Sequence, residues 1–93
     1  MRNLTDADFS GRTGTAYEVL VGDATIPLTL EEMQPLPDAG REGGSFRLTF
    51  IGPQDPVLPQ AIYPFRIDDE TVDIFIVPFA RNDKGTSYEA VFY

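Results

Sequence analysis

Apolar positions from residue 15 onward fall two apart: Tyr17, Val19 and Val21 share one side, with Ala16, Glu18 and Leu20 on the other. A period of two marks a strand. Gly22-Asp23 reads as a two-residue turn with glycine first, and beyond it Ile26, Leu28 and Leu30 alternate with Thr25, Pro27 and Thr29, so the pair predicts a hairpin. Pro27 has no N–H to give to a ladder, which places its nitrogen side away from a neighbouring strand, at an edge or a bulge. Glu31 to Met33 either continue the strand or turn. Gln34 to Ser45, with two prolines and three glycines, reads as a loop.

Phe46, Leu48 and Phe50 alternating with Ser45, Arg47 and Thr49 give a third strand with an aromatic inner face. Three prolines between Gly52 and Gln60 then favour an extended crossing over the end of the domain, with Val57 and Leu58 tucked beneath it. A fourth strand is expected over residues 61–67. The acidic turn Asp68-Asp69-Glu70 joins it to a fifth, from Thr71 to about Phe79, as a second hairpin. A polar loop, Arg81 to Thr86, leads to a last strand over Ser87 to Tyr93. Upstream of all six, Thr5 can cap one helical turn with Asp8 three residues on, while Leu4 and Phe9 occupy the staple positions around it; Gly11 and Gly14 stop it. The expectation is a single all-β domain over residues 1–93: a small antiparallel six-stranded barrel or sandwich with a short N-terminal helical turn.

The fifth strand departs from simple alternation. Val72, Ile74 and Ile76 form one apolar face, but Phe75, Val77 and Phe79 make the opposite face apolar too. A half-buried strand carries polar residues on its wet side, so this one asks for cover on both. If the last strand lies beside it, Val91 and Tyr93 extend the second face, with Glu89 its only charge. That face is either closed by the N-terminal turn, through Leu4 and Phe9, absorbed into the core, or left as an interface. Phe75, Val77, Phe79, Val91 and Tyr93 are the candidate interface residues.

Composition narrows the chemistry. The chain of 93 residues holds no cysteine and no histidine, which removes disulfides, thiolate metal sites, Cys-His and Ser-His-Asp nucleophiles and the commonest zinc ligand. No glycine-rich phosphate loop is present. Acidic hydrolysis by two facing carboxylates is the remaining enzymatic route and ranks last, because so small a domain has little room for a cleft. Asp68, Asp69, Glu70 and Asp73 match no calcium-loop spacing and read as a solvated turn. No cofactor and no metal are expected.

Seven basic against fifteen acidic residues give a net charge of −8, which opposes nucleic-acid backbones and anionic membrane surfaces. No apolar run approaches the ~20 residues of a membrane helix, and the first residues lack a signal-peptide core, so the expected location is the cytoplasm.

Phe46 to Pro53, then Leu58-Pro59-Gln60 with Tyr63, Ile74 to Pro78 and Tyr88 to Phe92, together with the opening Leu4-Thr5 and Ala7-Asp8-Phe9, resemble a family of small bacterial domains, DUF6916. The resemblance spans nearly the whole chain and differs at Asp68 to Thr71, where a histidine- or glycine-containing turn is expected. It implies no activity and no site residue. It does imply a setting near phage-tail-collar and tail-fibre-like proteins. The function expected is therefore a non-enzymatic structural or assembly domain in a phage-tail-like system, contacting a protein partner or a second copy of itself. The alternative is a small binding module for saccharide or peptide, using the Gln34 to Ser45 loop with Tyr63 or Tyr88 nearby.

Overall fold

A computed structural model describes residues 4–37 and 45–92. Six strands follow a 3-10 turn at Asp6–Asp8: β1 (Ala16–Val21), β2 (Ala24–Pro35), β3 (Phe46–Gly52), β4 (Ala61–Ile67), β5 (Glu70–Asn82) and β6 (Gly85–Phe92). All pairings are antiparallel and the order β1-β2-β3-β6-β5-β4 closes on itself. The choice between barrel and sandwich is thus resolved as a closed barrel. Closure removes most free edges, which a small sheet must otherwise protect.

The two-residue period predicts the interior well. Along β3, Phe46, Leu48 and Phe50 are buried while Arg47, Thr49 and Ile51 are only partly so, and Tyr17, Val19, Leu28, Leu30, Phe65, Ile67, Ile74, Ile76 and Tyr88 meet them inside. Phe50 and Phe65 pack across the core at 5.3 Å. Phe9 and Leu4 are buried in the same core, with Phe9 against Phe46 at 5.9 Å and Tyr17 at 6.2 Å. The N-terminal turn is therefore a plug at the end where β3 begins. Its cap forms as expected: the Asp8 carboxylate accepts the Thr5 N–H at 2.8 Å. Beyond the other end of β3, the crossing residues bring Leu58 into the core, where its N–H donates to the Tyr88 hydroxyl at 2.8 Å.

Several boundaries differ from the sequence reading. Val57 does not tuck under with Leu58; it is 40% exposed, because successive residues of an extended segment point opposite ways. Glu31 to Met33 continue β2, which absorbs one extra residue between Leu30 and Glu32 and runs on through Gln34 and Pro35. A bulge keeps the inward face in phase across such an insertion. The neck of the following loop is closed by the Leu36 N–H on the Ser45 carbonyl at 2.9 Å, and residues 38–44 lie outside the described residues. Arg81, Asn82, Gly85 and Thr86 belong to strands, not to a loop: the turn is Asp83-Lys84 alone, closed by Asn82 opposite Gly85. Gly85 (φ 138°) lies so close to Gly52 that an added Cβ would strike the Gly52 carbonyl.

Three of the four strand prolines follow one rule; the fourth, Pro35, ends β2 opposite Phe46. Pro27 lies opposite Glu18, Pro64 opposite Asp73 and Pro78 opposite Tyr88. In each hairpin this is three pairs in from the pair that closes the turn, Val21 with Ala24, Ile67 with Glu70 and Asn82 with Gly85. Bonded and non-bonded pairs alternate from the turn, so all three prolines occupy non-bonded positions with their nitrogens facing away from the hairpin partner. On that far side the next ladder has ended. β3 joins β2 only from Thr29, β1 meets β4 only at Phe65 and Arg66, and β4 leaves β5 at Ile76.

Candidate functional site

One further ladder stops short, and no proline stands beside the stop. β5 pairs with β4 from Glu70 to Ile76 and with β6 from Val77 to Asn82, so its partner changes between Ile76 and Val77. β6 continues past Glu89 to Phe92 paired with β3 alone. Below Val77 and Glu89 the two strands form a split. Continuing the register past Ile76 and Ala90, the next bonded pair would be Phe75 with Val91, yet they are not ladder partners.

The split opens as a groove of about 320 Å³ lined by Phe75, Val77, Glu89 and Val91. Four of the five candidate interface residues are described. Three of them, Phe75, Val77 and Val91, meet in this groove. Phe79 stands on the same outer surface as the extra residue of the bulge between Pro78 and Ala80, 56% exposed. The fifth, Tyr93, lies outside the described residues.

The inward face of β5 explains why the outward one stays bare. Val72, Ile74 and Ile76 are buried, and Leu4 and Phe9 spend their apolar surface in the barrel end with them, not over Phe75. Phe75 is 48% exposed.

Ile62 was not singled out from the sequence. It sits on β4 directly opposite Phe75 and is 64% exposed. The signal was present: Phe65 and Ile67 face inward, so Ile62, three residues before Phe65, faces outward. With it, Phe75, Val77, Phe79 and Val91 make an apolar surface continuous across three strands.

The electrostatics of the groove rest on Glu89. Its cross-strand neighbours are Val77 and Thr49, and among the described residues no cation pairs with it. Arg47, on the neighbouring strand opposite Val91, turns its guanidinium to the Gln34 side-chain oxygen instead. The cation nearest the acidic turn is also spoken for: Arg12 donates to Asp68 at 3.0 Å, and that contact raises the Arg12 pKa. Among the described residues no three acidic side chains gather to hold a metal ion. Neither groove described here brings two carboxylates together.

A second groove, also about 320 Å³, lies at the Pro27 stop, lined by Pro27, Thr29, Ile51, Gly52, Pro53 and Lys84. The described tyrosines offer no broad platform. Tyr88 and Tyr17 are buried, and Tyr63 is half-buried with its hydroxyl donating to the Pro59 carbonyl at 2.7 Å.

Residues 4–92 match the family model described as a domain of unknown function, DUF6916. No curated protein and no solved structure matches the chain.

Proposed function

Because the chain belongs to the DUF6916 family, whose function is unknown, we propose from its surface that it is a non-enzymatic protein-interaction domain that docks through the outer face of β4, β5 and β6. The observation that supports this is the concentration of exposed apolar side chains. Ile62, Phe75 and Phe79 are, with Val57, the large apolar residues that stand in solvent among those described, and the first three share one face. Isolated apolar residues on a surface are ordinary; a contiguous set beside a groove is the feature that marks partner sites. The proposed setting is a tail-fibre-like assembly, in keeping with the family resemblance.

The test is capture of partners from source cells by the whole chain, by Phe75→Asp, and by Leu20→Asp as a control on β1, which stands across the ring from β6. Partners lost with Phe75→Asp and retained with Leu20→Asp support the reading, provided both variants stay folded. Partners unchanged by Phe75→Asp discard it. A chain whose mass in solution rises with concentration would shift the proposed partner to a second copy.

A further inference from the structure

Resting on that reading, we infer how the partner binds: as an added β-strand in the split between β5 and β6, an extended segment whose alternate apolar side chains enter the groove and whose basic residue meets Glu89.

Three observations lead there. The first is the free backbone. Within the β4–β5 hairpin, Glu70, Val72, Ile74 and Ile76 occupy the bonded positions, so the N–H and C=O of Phe75 point toward the split. An open strand edge is a template for another strand, and strand addition draws its affinity from such main-chain groups and its specificity from pockets for alternate side chains. At the comparable stops, the first outward-facing position past the end of the neighbouring ladder is Pro27, Pro64 or Pro78, which has no N–H to offer. Here both flanking residues, Phe75 and Val91, have N–H groups.

The second is the lining. Phe75, Val77 and Val91 supply three apolar walls around a single carboxylate. A strand laid beside β5 below Val77 sends every other side chain outward over this surface, beside Phe75 and toward the Val77 side chain that closes the end of the groove. A helix would meet the apolar side chains but leave the turned-in peptide groups without partners.

The third is charge. Among the described residues no cation pairs with Glu89, which stands between Val77 and Thr49 beside the apolar groove, and the chain carries −8 overall. Two copies meeting symmetrically through this face would bring two Glu89 carboxylates and two strongly acidic domains together. A basic residue on the incoming strand removes that conflict and pairs the one charge the groove offers.

The experiment selects peptides from a displayed random library against the whole chain, with Phe75→Asp as the counter-target. The expected sequences alternate apolar with polar residues and carry Lys or Arg. Their affinity falls roughly tenfold or more on Glu89→Lys, and binding slows amide hydrogen exchange at Phe75 while leaving that of Val77, already paired with Glu89, unchanged. Enriched sequences with apolar residues three and four apart, or no slowing at Phe75, overturn strand addition and leave the interaction face standing. Indifference to Glu89→Lys overturns the basic residue. Peptides that bind Phe75→Asp equally well, or no enrichment at all, overturn both the strand and the face. Val91→Pro guards the reading against a folding artefact. It alters the split but not the bonds to β3, which come from Ala90 and Phe92, so a folded Val91→Pro that still binds at full strength assigns the strand to the β5 edge.

Discussion

Two ladders of this barrel part before their strands end, one beside Pro27 and one beside Phe75, and each leaves a groove of about 320 Å³. At the first, a proline ring removes the donor from the edge, Pro53 and Gly52 line the wall, and Lys84 stands at the rim. Proline and lysine are the residues with which natural sheets discourage edge pairing. At the second, the edge keeps its donors, the walls are apolar and the charge is a carboxylate. Size and origin are shared, so the difference lies in chemistry. One stop lacks the donor that strand addition uses, and the other, on the proposed reading, keeps it.

The sharpest way to break the comparison is at the closed end. Gly85→Ala forces a Cβ onto the Gly52 carbonyl at a backbone angle of φ 138°, and it is expected to cost about 4 kcal/mol, lowering the melting temperature by roughly 20 °C. A small shift in calorimetry would mean that the two strands move apart easily there. Next come the two faces of β5. Ile76→Ala, in the core, is expected to cost about 3 kcal/mol, whereas Phe75→Ser, one residue away in the open groove, should change stability by no more than about 0.5 kcal/mol. Equal losses in denaturant titrations would show that Phe75 is a packing residue and would remove the groove from consideration.

Pro27→Thr restores a donor to the guarded edge. Stability should stay within about 0.5 kcal/mol, but the mass measured by sedimentation should begin to rise with concentration as the edge becomes available. A mass that stays constant would show that the proline is not what closes this stop. The smallest effect is expected away from both grooves, at Tyr17, whose buried hydroxyl makes no hydrogen bond of good geometry among the described residues, although Arg12 lies near it. Removing an unsatisfied hydroxyl costs little or nothing, so Tyr17→Phe should match or slightly exceed the parent near neutral pH.

Tyr17 also provides a sign to check. Burial, partly offset by Arg12, raises its pKa above the ordinary 10.0. The folded chain holds that proton more tightly than the unfolded one, so the contribution is complete below the ordinary value and is lost as pH rises through the folded one. Tyr17→Phe should therefore unfold at higher pH than the parent in an alkaline titration. Unfolding at the same pH would place the alkaline loss elsewhere.

Strand number, the first two turns and nearly every core side chain were legible in the chain because a period of two puts alternate residues on opposite faces whatever the partner strand is. Phe46, Leu48 and Phe50 could be assigned inward with no knowledge of β6. The second apolar face of β5 was legible for the same reason, as was the position of Pro27. Val57 and Ile62 stand in solvent, where alternation from Leu58 and Phe65 places both, whereas the proline-rich crossing by itself suggests a buried plug at Val57. The ends of β2 and β5 were set too short because Glu31 and Phe79 interrupt the period, and a bulge is distinguished from a loop only by what lies across from it.

Local alternation and turn chemistry fix which residues face inward and which strands follow one another through tight turns, and the composition holds no histidine and no cysteine. Only the tertiary structure decided that the sheet closes as a barrel, that Leu4 and Phe9 fill its end instead of covering Phe75, and that the β5–β6 ladder stops at Val77. The physical reason is that side-chain direction is set by the local backbone, whereas the length of a ladder depends on how far two distant strands stay side by side. That depends on the bulges and the closure of the whole ring.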